Sequence, residues 1–263
     1  MTESMIDFTT QQGIARITLN RPAAFNALDT QGIQRLADIA SQLTQDATLR
    51  AVVITGQGDN AFCAGGDVTH FVQQAHRVGE LLQEATDPLH QAIRLFTELN
   101  APIVAAVNGV AAGAGLSLVA VADLAIAAEH ARFTTAYTQI GYTPDAGSSW
   151  LLPRLIGQRR AMELFLTNRV LSAEEALAWG LVNQVVPAAS FTGTVEQLIH
   201  RLADGPTGAF GGVKRLLLDG ATQPLAAQLA EEARTIIAQS QTEEGKEGVR
   251  AFSERRQPRF RPA

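Results

Sequence analysis

Two runs of small residues, each lying between a buried strand pattern and a helix pattern, are the places where this chain could bind a charged or polarised group. The first run is Ala61–Asp67 and the second is Asn108–Gly115. Small residues let a ligand approach the backbone closely, and the start of a helix points free N–H groups and the positive end of its dipole at that ligand. The expected ligand is a phosphate, a carboxylate or a polarised carbonyl oxygen. Close packing of strand on helix without any ligand would also explain such runs.

Short apolar runs predict the strands that lead into these turns and support them. Buried strands are predicted over Ala51–Thr55, Ile103–Val107 and Leu124–Ala128. Two further strands are predicted over Ile14–Leu19 and Val182–Val186. Because strands and helices alternate up to about residue 190 and only helix patterns follow, the sequence predicts an α/β core with a helical region at its end.

Helix boundaries are predicted from capping residues and prolines. Asp29 is placed to cap one helix, and Ser172 with Glu175 forms a capping box at the start of another. Pro144 predicts a helix start, since proline is favoured in the first turn. Pro88 predicts a break within residues 72–99, which we expect to form two surface helices or a mobile segment.

Composition narrows the class of protein. The chain has 263 residues, 46% hydrophobic and 18% charged, which is typical of a globular protein with a large core. A net charge of −5 argues against binding of nucleic acid, which needs a positively charged surface. We expect no membrane span because no apolar stretch is long enough. Cys63, the lone cysteine, fits a reducing compartment, and no secretory signal is recognisable, so we expect a cytoplasmic protein.

The order and spacing of several motifs resemble the crotonase superfamily, also called the enoyl-CoA hydratase/isomerase family, over essentially the whole chain. The matching pieces are Leu19-Asn-Arg-Pro22 with Asn26-Ala-Leu28, Ala61–Asp67, Pro102–Gly115, Arg154-Leu-Ile-Gly157, Leu171–Ala176 and the tail Glu247–Phe252. The resemblance implies a spiral of ββα units with a C-terminal helical trimerisation region. It implies a core with the acyl-CoA site over residues 1–200 and an oligomerisation region over 201–263, in a homotrimer or a dimer of trimers.

The resemblance also implies where an acyl-CoA thioester would bind. The family binds the thioester oxygen with two backbone N–H groups, an arrangement called an oxyanion hole, and by motif position these fall on Gly66 and Ala114. Coenzyme A is carried by the substrate, so no separate cofactor and no metal are expected. Its binding residues would be Arg21, Ala24, Ala27, Leu28, Ala64, Asp67 and Val68.

The catalytic carboxylate departs from the family's hydratase pattern. Hydratases of this family use two glutamates, and the corresponding positions here are Ser117 and Tyr137. Neither is ionised at neutral pH in an ordinary environment, so hydration by the two-carboxylate route is disfavoured. A carboxylate occurs instead at Asp145, where it could act as an acid/base or simply cap a helix.

Two subfamilies place an aspartate at this position. In the Asp-dependent enoyl-CoA isomerases, including the ring-1,2-epoxyphenylacetyl-CoA isomerase group, one carboxylate moves a proton between two carbons. In 4-chlorobenzoyl-CoA dehalogenase, the aspartate attacks the ring and a histidine, here His90, activates water; the tryptophan that positions that aspartate is Tyr137 here. We expect an isomerase with Asp145 as proton carrier and with Tyr137 and His90 lining the acyl pocket. A dehalogenase, or a non-catalytic CoA-ester-binding or RNA-binding member, is the alternative.

Overall fold

The computed structural model describes residues 5–73 and 75–261, which form ten strands and eleven α-helices. The strands are β1 (Ile6–Gln11), β2 (Ile14–Leu19), β3 (Ala51–Gly56), β4 (Ala61–Cys63), β5 (Ile103–Val107), β6 (Val110–Ala112), β7 (Leu124–Ala128), β8 (Arg132–Thr134), β9 (Leu171–Ser172) and β10 (Gln184–Val186). The helices are α1 (Thr30–Gln45), α2 (Val68–Gln73), α3 (Val78–Glu98), α4 (Ala114–Val121), α5 (Ser148–Ile156), α6 (Gln158–Thr167), α7 (Ala173–Trp179), α8 (Ala188–Ala203), α9 (Thr207–Gly220), α10 (Leu225–Ser240) and α11 (Glu243–Ser253). Within the described ranges, no helix is long and apolar enough to cross a membrane.

The strands build two sheets in a spiral. One sheet has the order β1-β2-β3-β5-β7-β10 and is parallel except for the β1–β2 hairpin; the other has the order β4-β6-β8-β9. Along the chain, β3, β5 and β7 each add a strand to the first sheet, and β4, β6 and β8 follow them into the second. A helix comes after each such pair, so the repeated unit is ββα and the predicted spiral is confirmed.

Helix α4 lies at the centre of this spiral and positions the second small-residue run. All eight of its residues are buried, which is the pattern of a helix surrounded by core rather than lying on a surface. Its N-terminus follows directly from β6, so the backbone at Gly113 and Ala114 is fixed by the strand on one side and by the buried helix on the other. The four helices after Val186 form the helical region that the sequence predicts, and its proposed boundary near residue 200 stays a prediction.

The capping predictions are confirmed, whereas both proline predictions are wrong. Asp29 accepts the Gly32 N–H at 2.8 Å, and Ser172 with Glu175 forms a complete capping box. Pro88 lies inside the single helix α3, because buried side chains on both sides of it pack the helix against the core and outweigh one lost hydrogen bond. Helix α5 begins at Ser148 rather than at Pro144, since the left-handed backbone of Ala146 and Gly147 keeps the preceding residues out of the helix.

Candidate active site

The two small-residue turns touch each other through their backbones. Gly65 has φ +95°, and a Cβ there would lie 2.9 Å from the Ala112 carbonyl oxygen and 3.3 Å from the Ala114 nitrogen. A Cβ on Gly115 would lie only 2.1 Å from the Cys63 carbonyl oxygen. Such distances are well inside van der Waals contact, so glycine is required at both positions for the turns to approach this closely.

Neighbouring hydrogen bonds fix the direction of the Gly66 N–H. The Leu28 N–H donates to the Gly65 carbonyl at 2.8 Å, and the Asp67 N–H donates to the Leu28 carbonyl at 2.9 Å. In this parallel bridge the residues on either side of Gly66 face Leu28, so the N–H of Gly66 itself points to the opposite side.

Ala114 supplies the second free donor. It is the first residue of α4, and the first N–H groups of a helix have no partner within it. Gly66 and Ala114 both line one cavity of about 430 Å³, which Gly65 and Gly113 also border. The arrangement offers two backbone donors in one pocket, which is the requirement for stabilising a developing oxyanion.

Asp145 and Tyr137 also line this cavity and belong to neither of the two turns. The Tyr137 hydroxyl donates to Asp145 Oδ1 at 2.7 Å, and both residues line the pocket. Burial, together with the adjacent Asp145 carboxylate, raises the pKa of Tyr137 well above its ordinary value, although hydrogen bonds with Ser117 and Ser148 act in the opposite direction. The phenol is therefore neutral over the physiological range and remains a donor to the carboxylate.

The carboxylate of Asp145 does not cap helix α5. The N-terminus of that helix has no side-chain cap at Gly147, and the N–H and hydroxyl of Ser148 both bond to the main-chain oxygen of Asp145. In the described part of the chain, the Tyr137 hydroxyl at Oδ1 is the one hydrogen bond that this carboxylate accepts. Its second oxygen is thus left for chemistry in the cavity.

Helix α3 closes the apolar side of the cavity with a stripe of side chains at helical spacing. The side chains of this stripe are Leu82, Ala85, Thr86 and Leu89, and Ile140 and Tyr142 line the same cavity. These side chains are not among the residues predicted from the sequence, although their i, i+3, i+4, i+7 spacing was the signal available for them. His90 follows the stripe but is not among the lining residues; its Nε2 accepts the N–H of Ala146 at 3.1 Å instead.

The residues predicted to bind coenzyme A lie together on two adjoining segments. Ala64 and Val68 line the cavity, and the segment that contains Ala24, Ala27 and Leu28 is hydrogen-bonded to residues 64–67. The Arg21 guanidinium donates to the Asp67 carboxylate at 2.9 Å and to the Ala27 carbonyl at 3.0 Å. Arg21 therefore joins the two segments through an ion pair and a hydrogen bond and is not a solvated arginine. We call this contact of Arg21 with Asp67 and Ala27 the clasp.

Asn26 supports this clasp and was not singled out as a site residue from the sequence. Its side chain is buried, accepts the Arg21 N–H at 3.0 Å and donates to the Ala61 carbonyl at 2.7 Å. Asparagine tolerates the left-handed backbone of this position, at φ +56°. Its residue type and its place in the Asn26-Ala-Leu28 motif were the signals available in the sequence.

The structure thus brings most of the predicted site residues to one cavity. Gly66, Ala114, Tyr137, Asp145, Ala64 and Val68 line it. Ser117 is fully buried and is not among the lining residues, and its hydroxyl donates to the Gly113 carbonyl at 3.4 Å. The neighbouring segments, joined by the Arg21–Asp67 ion pair, carry the other predicted residues: Arg21, Ala24, Ala27, Leu28 and Asp67. His90 accepts the N–H of Ala146, the residue after Asp145.

Comparison with known proteins places the chain in a family. The sequence model described as Enoyl-CoA hydratase/isomerase matches residues 9–262, so the chain belongs to the enoyl-CoA hydratase/isomerase family, the crotonase superfamily. A solved enoyl-CoA hydratase from Bacillus anthracis superposes with a TM-score of 0.91 at 32% identity, covering 98% of this chain and 99% of that one.

Curated relatives differ in the reaction that their names describe. A protein from Rhodobacter capsulatus named "Probable enoyl-CoA hydratase" is 40% identical over 99% of both chains. The 1,2-epoxyphenylacetyl-CoA isomerase of Escherichia coli is 37% identical over 95% of both chains. A 4-chlorobenzoyl coenzyme A dehalogenase from Arthrobacter is 35% identical over 86% of this chain and 82% of its own. The chain is therefore an acyl-CoA enzyme of this family, and the reaction within the family is a separate question.

Proposed function

We propose that this protein is an enoyl-CoA isomerase that shifts a double bond through a thioester enolate, with Asp145 as the proton carrier. The observation that supports the proposal is the position of the Asp145 carboxylate and its hydrogen bonding. The carboxylate borders the same cavity as the Gly66 and Ala114 N–H groups, it is oriented by Tyr137, and it does not serve as a helix cap. An oriented carboxylate with one oxygen left over is the group that proton transfer at carbon needs.

The proposed reaction needs one carboxylate and one oxyanion site. Asp145 takes a proton from C2 or C4 of the bound enoyl thioester, and the electron pair of that C–H bond moves into the conjugated system onto the thioester oxygen. The Gly66 and Ala114 N–H groups donate to that oxygen while it carries negative charge. Asp145 then returns the proton to the other carbon, the double bond is in its new place, and no atom is gained or lost.

Hydration is less well supported by these side chains. It would need a base for water and an acid for carbon at the positions of Ser117 and Tyr137. Ser117 is fully buried outside the cavity lining, and the raised pKa of Tyr137 keeps that phenol from acting as a base near neutral pH. Hydratase activity, which the name of the Rhodobacter relative suggests, is therefore the weaker hypothesis.

Dehalogenation is the second candidate, favoured by the Arthrobacter relative. Asp145 would attack a halogenated aromatic ring and displace halide, and His90 would activate water to hydrolyse the aryl ester. The contact between His90 Nε2 and the Ala146 N–H counts against this role, because it occupies the nitrogen lone pair that a base would use.

A panel of acyl-CoA thioesters in deuterated water separates these reactions. We expect exchange of protons at C2 and C4 together with a shift of the double bond, and we expect the Asp145→Asn variant to lose both while binding the thioester with similar affinity. Full isomerase activity in that variant would contradict the assignment. Release of chloride from 4-chlorobenzoyl-CoA would favour dehalogenation, and binding without any exchange would favour a non-catalytic CoA-ester-binding role.

We also propose that the protein acts in the cytoplasm as a homotrimer or a dimer of trimers, without a metal or a separate cofactor. Large apolar side chains of the C-terminal helices support assembly: Leu225 on α10 is 74% exposed, Ile236 on α10 is 70% exposed and Phe252 on α11 is 86% exposed in the single chain. Surfaces of this kind are typical of subunit contacts. Light scattering coupled to gel filtration would give the mass, and a stable 28.0 kDa monomer would contradict the proposal.

A further inference from the structure

The backbone that follows Asp145 is held in an unusual conformation by a side chain from another element. Ala146 is fully buried and has φ +49°, which is the left-handed region that residues with a Cβ seldom adopt. Its N–H donates to Nε2 of His90 on helix α3, at 3.1 Å. A buried backbone N–H needs an acceptor, and in the described part of the chain this imidazole nitrogen is the one that it has.

The direction of that bond fixes the state of the imidazole. An amide N–H can only donate, so Nε2 must carry its lone pair towards Ala146, and the proton of the neutral ring lies on Nδ1. A doubly protonated ring has no lone pair to offer. His90 therefore acts as an acceptor in this structure, and its Nε2 is not available to remove a proton from water.

Asp145 is consequently held at two ends by two different elements. Tyr137, in the 3-10 turn after β8, fixes the carboxylate through Oδ1, and His90, on α3, fixes the main chain at the next residue. Helix α3 also lies close to Gly147, because a Cβ added there would be 3.4 Å from Ile93 Cγ2.

We infer that His90 is a positioning residue for Asp145 and that it acts as a hydrogen-bond acceptor rather than as a proton carrier. The same helix presents Leu82, Ala85, Thr86 and Leu89 to the acyl cavity. One helix thus borders the cavity proposed for the acyl group and positions the carboxylate that would act there. This inference rests on the proposed role of Asp145.

Two substitutions at His90 separate an acceptor from a proton carrier. In His90→Gln the side-chain amide oxygen can occupy the position of Nε2 and accept the Ala146 N–H, whereas His90→Leu offers no acceptor. Gln91→Leu is the matched control, since Gln91 is an exposed polar residue on the same helix. For each variant, kcat and KM are measured for double-bond shift, binding of a saturated acyl-CoA is measured by calorimetry, and the crystal structure is determined.

We expect kcat of His90→Leu to fall by about 10²-fold, the cost of misplacing a catalytic group by about 1 Å, with KM and binding changed less than about threefold. We expect His90→Gln and Gln91→Leu to stay within about threefold of the native kcat. A native kcat in His90→Leu would overturn the inference. So would a His90→Gln variant as slow as His90→Leu, because an acceptor at the position of Nε2 would then not replace the imidazole.

The crystal structures of the variants test positioning by His90 independently of whether the protein is an isomerase. If the native protein shifts no double bond, displacement of Asp145 from its 2.7 Å contact with Tyr137 in His90→Leu, but not in His90→Gln, still supports positioning by His90. An unmoved Asp145 in both variants would overturn it. Failure of the isomerase proposal would appear as the absence of proton exchange in the native protein, whatever the loop does.

Discussion

The two sides of the acyl cavity are built by different means. The side that contains Gly66 and Ala114 offers main-chain N–H groups, and its turns are pressed together so closely that side chains at Gly65 and Gly115 would collide with backbone atoms. The side that contains Tyr137 and Asp145 offers side chains from irregular segments outside both sheets. Packing in the core fixes the positions of the N–H groups on the first side. A few hydrogen bonds fix the positions of the side chains on the second.

This difference explains how one fold supports several reactions. Two N–H donors stabilise any thioester enolate, whichever atom is attacked or protonated next, so that side can stay the same. Replacing single residues on the other side changes the available acid, base or nucleophile without disturbing the core. The relatives named as hydratase, isomerase and dehalogenase are consistent with this division of roles.

The largest effect is expected from Gly115→Ala on the backbone side. The added Cβ would lie 2.1 Å from the Cys63 carbonyl oxygen, so the two turns must separate. Loss of one donor contact costs about 10²–10³ in kcat, and we expect at least this loss together with a lower midpoint of urea unfolding. Gly193→Ala on helix α8 is the control, because a Cβ there meets nothing within 4 Å. Native activity in Gly115→Ala would show that the contact is not needed.

A smaller effect is expected from Tyr137→Phe on the side-chain side. The substitution removes the 2.7 Å hydrogen bond to Asp145 and leaves the ring in place. A hydrogen bond to a charged group is worth about 1.5–3 kcal/mol, so we expect kcat to fall by about tenfold to a hundredfold with little change in KM. Steady-state kinetics would measure this, with Tyr142→Phe as the control from the same cavity wall. An equal loss in both variants would argue against orientation of Asp145 by Tyr137.

A further effect is expected on the unfolding free energy of the protein at high pH, through Cys63 on the backbone side. Burial raises the pKa of the Cys63 thiol to about 12 from an ordinary value near 9. The folded chain holds this proton more tightly than the unfolded chain, so the stabilisation is complete below pH 9 and is lost as pH rises towards 12. Between pH 8 and pH 10.5 the native protein should lose about 2 kcal/mol more of its unfolding free energy than Cys63→Ala. Urea unfolding at both pH values measures this difference, and parallel curves would contradict it.

The smallest effect is expected at the clasp beside the backbone side. Arg21→Met removes the ion pair with Asp67 and the bond to the Ala27 carbonyl. Because this pair is partly exposed, we expect KM for the CoA thioester to rise about threefold to tenfold and kcat to change little. Arg35→Gln, an exposed change on helix α1, is the control. A fall in kcat without a rise in KM would place Arg21 in the chemical step instead.

The sequence supported the backbone side more fully than the side-chain side, for a physical reason. Glycines between a strand and a helix leave a local pattern, so the turns at Gly65 and Gly113 were predictable from their neighbours alone. The contact of His90 with Ala146 joins residues far apart in the chain, and nothing in the periodicity of α3 indicates it. The predictions from Pro144 and Pro88 are wrong because the local preference of proline does not decide the backbone there. Left-handed residues at 146–147 and buried packing around α3 decide it instead.

The contact between the two turns has a consequence for refolding. Gly66 follows β4 and Ala114 follows β6, so the donors belong to successive ββα units, and neither unit alone contains the pair. Helices can regain their hydrogen bonds locally, within microseconds, before these strands join. Recovery of activity after dilution from urea should therefore lag behind the return of helical circular dichroism and coincide with protection of the Cys63 thiol, which the same contact buries.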